Sequence, residues 1–235
     1  KVHRFRVDRQ RDHLAFDTLT RKVFGEQHTY LDEIAWIQML GPHSSDLLRY
    51  IASARAEYDL FIFFTYQYFT SVFGLPLVPD KAALVPTAHD DRGIYLDVYN
   101  PVFHLPRFII FNTDTERSMV HWRFDNHRVP NAIVGTGIEL QAEIDPCGFL
   151  SRYGIEQPYL AYVGRVEPAK GCDTLLDYFA QYKDERGGGL KLVLIGKVEM
   201  PLPRRADVVS LGFVPEREKF EGIAASSVMI LPSEH

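Results

Sequence analysis

Apolar or β-branched runs of about five residues recur along the chain, and between them lie longer stretches whose apolar positions repeat with helical spacing. This alternation predicts an α/β protein with a mainly parallel sheet. In the first part the pattern predicts strands over Val2–Val7, Asp59–Phe64, Ala82–Pro86, Phe108–Phe111 and Ala132–Val134, with helices between them. In the second part it predicts strands over Tyr159–Val163, Leu190–Ile195, Val208–Leu211 and Val228–Leu231. Leu175, Leu176 and Phe179, with Tyr182 a turn later, mark the core-facing stripe of one helix. Thr113-Asp114-Thr115-Glu116 reads as a capping box, with Thr113 capping the amide three residues on and Glu116 reaching back to the cap. The segment from Gly137 to Pro158 interrupts both rhythms with prolines and glycines, which puts a domain boundary inside it and divides the chain into residues 1–150 and 151–235. Gly187-Gly188-Gly189 reads as a helix-to-strand turn, because a strand follows at once.

Composition adds little to this picture but excludes several classes. Hydrophobic residues at 46% and charged residues at 24% of the 235 are ordinary for a globular protein. The net charge of -5 gives no overall basic footprint for nucleic acid, so any anion site must be local. Cys147 and Cys172 are too far apart for a zinc-ligand pair and too few for a disulfide framework, which favours a reducing compartment and a cytoplasmic location. No apolar run approaches the roughly 20 residues that span a bilayer, and Lys1-Val-His-Arg lacks an initiator Met, which suggests missing upstream sequence.

The most informative stretch is Tyr162 to Gly171, which leaves a strand and enters a helix. Ligands of open α/β sheets bind outside the carboxyl ends of strands, where this loop lies. Gly164 permits close backbone approach, Arg165 and Lys170 supply cations, and the helix beginning near Gly171 turns its unpaired amides toward the same space. By spacing alone, a pyrophosphate site and solvated loop charges are comparable readings. Neither the dinucleotide fingerprint nor a P-loop is present.

Gly164-Arg165-Val166-Glu167-Pro168-Ala169-Lys170-Gly171 resembles the G-R-x-x-x-x-K-G segment of family-4 glycosyltransferases. Leu192–Gly196, Leu211–Pro215 and Val228–Ser233 follow in the family's order. Upstream, Pro86-Thr87-Ala88-His89-Asp90-Asp91 resembles its acceptor-side histidine loop, and Asn112–Arg117 and Val134–Glu139 resemble segments that close its N-terminal domain. The resemblance implies two Rossmann-like domains facing across a cleft, the GT-B type, both incomplete here. The family's first strand and glycine-rich loop have no counterpart after Lys1. The first of its two glutamates falls just past His235, so Glu234 is not assigned to that pair.

What the resemblance implies for activity is transfer of a hexose from a nucleoside-diphosphate sugar to an acceptor, with retention of anomeric configuration and without a metal or other cofactor. Arg165 and Lys170 would stabilise the leaving phosphate by preorganised electrostatics, and His89 would face the cleft near the transferred sugar. Gly164, Gly171, Gly196, Phe213 and Val214 would bind the donor; Asp90 and Asp91 would orient the imidazole or the acceptor, unless they serve only as turn or cap residues. Asp114-Thr115-Glu116 looks like an acid-x-acid metal motif, but the capping box explains it more simply. The aromatics from Phe61 to Phe69 are read as core packing. The acceptor is left open among carbohydrate, lipid-linked and small-molecule classes; a lipid-linked one would bring peripheral contact with the inner face of the membrane. A nucleotide-sugar epimerase on the same scaffold and a non-catalytic nucleotide-sugar-binding fragment are the alternatives.

Overall fold

The computed structural model describes residues 1–139, 143–156 and 158–233, so Glu234, set aside above, and His235 lie outside it. The chain divides into two compact units, Lys1–Gly137 and Ile138–His235.

The first unit contains helices α1 (His13–Gly25), α2 (Tyr30–Leu40), α3 (Ser45–Ser53), α4 (Phe69–Gly74), α5 (Asn100–His104) and α6 (Asp114–Phe124). Its parallel sheet, in the order β1-β2-β3-β4, is formed by β1 (Phe61–Phe64), β2 (Ala82–Val85), β3 (Phe108–Phe111) and β4 (Asn131–Ile133). β2 is buried along its whole length, as expected for a strand covered on both faces. Among the aromatics near β1, Phe63, Tyr66 and Phe69 are core residues, whereas Phe64 and Tyr68 remain exposed.

The second unit contains helices α7 (Pro146–Tyr153), α8 (Cys172–Arg186) and α9 (Glu216–Ala225). Its parallel sheet is built from β5 (Tyr159–Val163), β6 (Lys191–Ile195), β7 (Val208–Gly212) and β8 (Val228–Met229), in the order β7-β6-β5-β8. The chain therefore moves outward from β5 to β7 and then returns to the other side of β5. This places a topological switch point at the carboxyl end of β5, the position where open α/β sheets bind ligands.

Several expectations need correction. Val2–Val7 forms no strand. That segment is held by side chains: His3 and Phe5 lie against Tyr50, and Asp8 accepts hydrogen bonds from the Ser45 hydroxyl (2.7 Å) and amide (2.9 Å) while pairing with His43 (2.8 Å). The second compact unit, which begins inside the Gly137–Pro158 segment, takes in α7. Phe149 is fully buried in that core, and the buried Glu221 of α9 accepts from the Asp145 amide and from Arg152. Tyr182 is exposed and does not extend the stripe of α8. Lys183 takes its place: its stem is buried and its ammonium donates to the Gly188 and Leu190 carbonyls, so only the tip needs polar partners. Gly187 and Gly188, with φ of 63° and 79°, make the turn between α8 and β6.

Candidate functional site

The loop from Gly164 to Gly171 emerges from β5 at the switch point. It is fixed to its neighbours by backbone bonds: the Gly164 amide donates to Ile195 O (3.0 Å), the Val166 amide to Lys197 O (2.8 Å) and the Glu199 amide to Val166 O (2.9 Å). The Gly196 amide continues the series to Gly212 O (2.7 Å), so the ends of β5, β6 and β7 form one stitched edge. The Tyr162 hydroxyl donates to Arg165 O (2.7 Å), and burial pushes that phenol well above its ordinary pKa.

Two glycines are required by this packing. A Cβ at Gly196 would lie 2.0 Å from Gly164 O, and one at Gly171 would lie 2.5 Å from Pro232 O, in the segment after β8. Both also have positive φ, 143° and 69°. The β5 loop and the segment after β8 therefore approach each other at the switch point with backbone against backbone.

The cations of this loop differ in their surroundings. Arg165 is exposed and lies 3.6 Å from Glu167 and 3.9 Å from Glu199, which Lys197 also contacts. The Lys197 hydrogen bond, with the nearby Arg165 charge, holds the Glu199 carboxyl below its ordinary pKa. Exposed pairs of this kind contribute about 0–1 kcal/mol, so an anion of higher charge could take Arg165 from them at little cost. Half-buried Lys170 ends a 3-10 turn over Pro168–Lys170 and has no ion pair among the described residues. Helix α8 begins directly after Gly171 with no side-chain cap, whereas Asp12, Thr29, Ser44, Thr113 and Asp145 cap α1, α2, α3, α6 and α7. Its first amides have no hydrogen-bond acceptor among the described residues and lie at the positive end of a 15-residue helix.

Phe213 and Val214 separate in the structure. Phe213 is 89% exposed, while Val214 is buried in the core of the second unit and does not offer a surface to a ligand. The expected apolar contact from this turn falls on Phe213 alone.

In the first unit, His89 and Asp90 line a cavity of about 430 Å³ with Thr87, Asn112, Thr113, Thr115, Glu116 and Met119. Thr87, itself part of this lining, has φ of 49°, a left-handed conformation that a β-branched residue rarely adopts. Asp91 is engaged by the amides of Gly93 (2.7 Å) and Ile94 (3.2 Å) and by Gln67, so it acts as a cap. Asp90 is exposed and accepts from the Tyr95 hydroxyl (2.7 Å), which raises that phenol's pKa.

Glu116 does more than the capping box predicted. Thr113 caps the Glu116 amide as expected, but the buried Glu116 carboxylate accepts from Asn112 N (2.7 Å) and Ala88 N (2.6 Å). It ties the loop after β2 to the loop after β3. The sequence signal for this was the acidic residue at the third helical position, whose second partner is distant along the chain.

No family model matches this sequence, and no curated protein does either. Solved structures match in fold. Anabaena HepE in complex with UDP aligns with a TM-score of 0.62 at 14% identity, over 82% of this chain and 57% of that one. The same protein in complex with UDP and glucose gives 0.58 at 13% identity, over 82% and 56%. Sucrose-phosphate synthase from Thermosynechococcus elongatus gives 0.57 at 14% identity, over 88% and 56%. This chain thus spans a little over half the length of these structures, and the likeness shows a GT-B-type α/β fold with two Rossmann-like units.

Proposed function

We propose that the chain is part of a glycosyltransferase, of the retaining family-4 kind, that moves a hexose from a nucleoside-diphosphate sugar to an acceptor. The observation that carries this reading is the switch-point loop, which bears Arg165 and Lys170, the latter with no ion pair among the described residues, and leads directly into the uncapped start of α8. HepE, a structural neighbour, binds UDP, which makes a uridine diphosphate the first donor nucleotide to try.

In this mechanism the bond between the anomeric carbon and the diphosphate oxygen breaks, and its electron pair leaves with the diphosphate. An acceptor hydroxyl oxygen bonds to the same carbon and passes its proton to the departing diphosphate oxygen. Arg165, Lys170 and the first amides of α8 stabilise the charge that accumulates on the leaving group, which is preorganised electrostatic catalysis needing no metal. Gly164, Gly171 and Gly196 hold the backbone of this edge in the shape that receives the diphosphate, the space of a Cβ at each being filled by protein, and exposed Phe213 stacks on the base. His89 and Asp90 serve the acceptor or the transferred sugar.

The test is calorimetric titration with UDP, followed by incubation of the complete enzyme with UDP-hexoses and NMR of the product. Saturable UDP binding that is lost in Arg165→Ala, with a product of unchanged anomeric configuration, supports the reading. UDP affinity unchanged in both Arg165→Ala and Lys170→Ala overturns it.

A further inference from the structure

Of the two tryptophans, Trp36 is buried and Trp122 is 74% exposed. Trp122 does not stand alone. The 45% exposed Tyr95 meets it edge-on, with centroids 6.5 Å apart and planes at 78°. Tyr95 is held from two sides: its hydroxyl donates to Asp90 (2.7 Å), and the Arg123 guanidinium sits 5.6 Å over its ring while donating to its carbonyl (2.8 Å). Tyr95 is therefore positioned before any ligand arrives, with Trp122 edge-on beside it.

This aromatic pair continues the His89 cavity. Asp90, which positions Tyr95, also lines that cavity. Thr115 and Met119, on the cavity wall, share one stripe of α6 with Trp122 at spacings of four and three residues. Trp122 lies seven residues beyond Thr115, roughly 10 Å along the helix at its usual rise. That distance exceeds one sugar ring.

We propose that Trp122, Tyr95 and Asp90 form a saccharide subsite extending the His89 cavity, so that the acceptor is a glycan of at least two sugar units. The apolar C–H face of a pyranose fits a tryptophan ring, and its hydroxyls fit the Asp90 carboxylate. An anionic membrane surface suits the patch poorly, because Asp90 and exposed Asp97, beside Arg123, present like charge. The inference deepens the transferase reading and depends on it for the word acceptor; saccharide binding itself does not depend on it.

The experiment follows Trp122 emission in a Trp36→Phe background during titration with maltotriose, cellotriose, chitotriose and mannotriose, each beside its monosaccharide. Parallel titrations use phosphatidylcholine vesicles with and without phosphatidylglycerol. If Trp36→Phe does not fold, acrylamide quenching of the unaltered protein separates the two tryptophans by exposure. The expected result is a saturable blue shift with at least one trisaccharide, at least tenfold weaker for its monosaccharide and at least tenfold weaker in Tyr95→Ala. No shift with any trisaccharide, a shift with vesicles alone, or one unaffected by Tyr95→Ala overturns the proposal. The assay contains no nucleotide, so its failure leaves the UDP result for Arg165 standing, and the converse holds as well.

Discussion

The Glu116 carboxylate lies 2.6 Å from the Ala88 amide, joining residues 28 positions apart in sequence. A second oxygen holds the Asn112 amide at 2.7 Å, so one buried side chain satisfies two loop donors next to the His89 cavity. Removing it leaves both amides without an acceptor. Each buried, unsatisfied group costs about 1–3 kcal/mol.

Glu116→Leu is therefore expected to lower stability by about 2–4 kcal/mol in urea unfolding, while Thr113→Ala, which removes only the helix cap, costs about 1 kcal/mol. Equal losses in the two variants would mean that the tie to Ala88 contributes nothing.

The N-terminal segment offers a test by pH. Asp8 is held at about pKa 2 by the Ser45 hydroxyl bond first and the Ser45 amide next, against the opposing effect of burial, with His43 adding a lesser lowering contribution. Because the folded value lies below the ordinary carboxylate value near 3.9, this contribution is complete above about pH 4 and disappears as the pH falls toward 2. Asp8→Asn should be less stable than the wild type at pH 5, and the gap between their urea midpoints should close on acidification. A gap that stays constant from pH 5 to pH 2 contradicts the assignment.

Much of the second unit was legible in sequence because its strands are short, largely apolar runs followed or closed by Gly164, Gly196 and Gly212, and at Gly196 backbone packs on backbone. Val2–Val7 misled because β-formers at Val2, Phe5 and Val7 among polar residues imitate a strand, yet the segment is anchored by Phe5 and the adjoining Asp8 instead of a ladder. Local pattern also could not say which of Phe213 and Val214 faces inward, since adjacent residues at a strand end point apart and either choice obeys alternation. Nor could it find the Ala88 partner of Glu116 or the company Trp122 keeps with Tyr95, because both arise only when β2 and β3 bring distant loops together.

For Arg165 the expectation is functional loss without structural loss. Its side chain is 60% exposed and its two carboxylate contacts are 3.6 and 3.9 Å long, so Arg165→Ala should leave thermal unfolding within about 0.5 kcal/mol of wild type. In the complete enzyme its kcat should fall roughly 100- to 1000-fold, the usual result of deleting one preorganised donor to a developing anion. Arg165→Lys should recover only part of this, since an ammonium does not reproduce the two-pronged contact of guanidinium with phosphate. Measured kcat near wild type in either variant would remove Arg165 from the chemistry.

Gly196 gives the sharpest separation between folding and binding at the switch point. Its φ of 143° is one that other residues rarely adopt, and a methyl group there would sit 2.0 Å from the Gly164 carbonyl oxygen. That oxygen belongs to backbone, which cannot swing away as a side-chain tip would. Gly196→Ala must therefore push the start of the Arg165 loop off the end of β6, weakening the Gly164–Ile195 and Gly196–Gly212 bonds together. Gly212 has φ of 66° but no heavy atom within 4 Å of the same added group, so Gly212→Ala carries only the conformational penalty, on the order of 1 kcal/mol. The expected order in urea unfolding is a loss several times larger for Gly196→Ala than for Gly212→Ala. UDP affinity should fall in the first variant even at temperatures where it remains folded, because displacement of Gly164 moves Arg165 relative to the open amides of α8. Equal destabilisation of the two variants would show that the edge of the sheet yields without cost, and the rigid platform assumed for diphosphate binding would not exist.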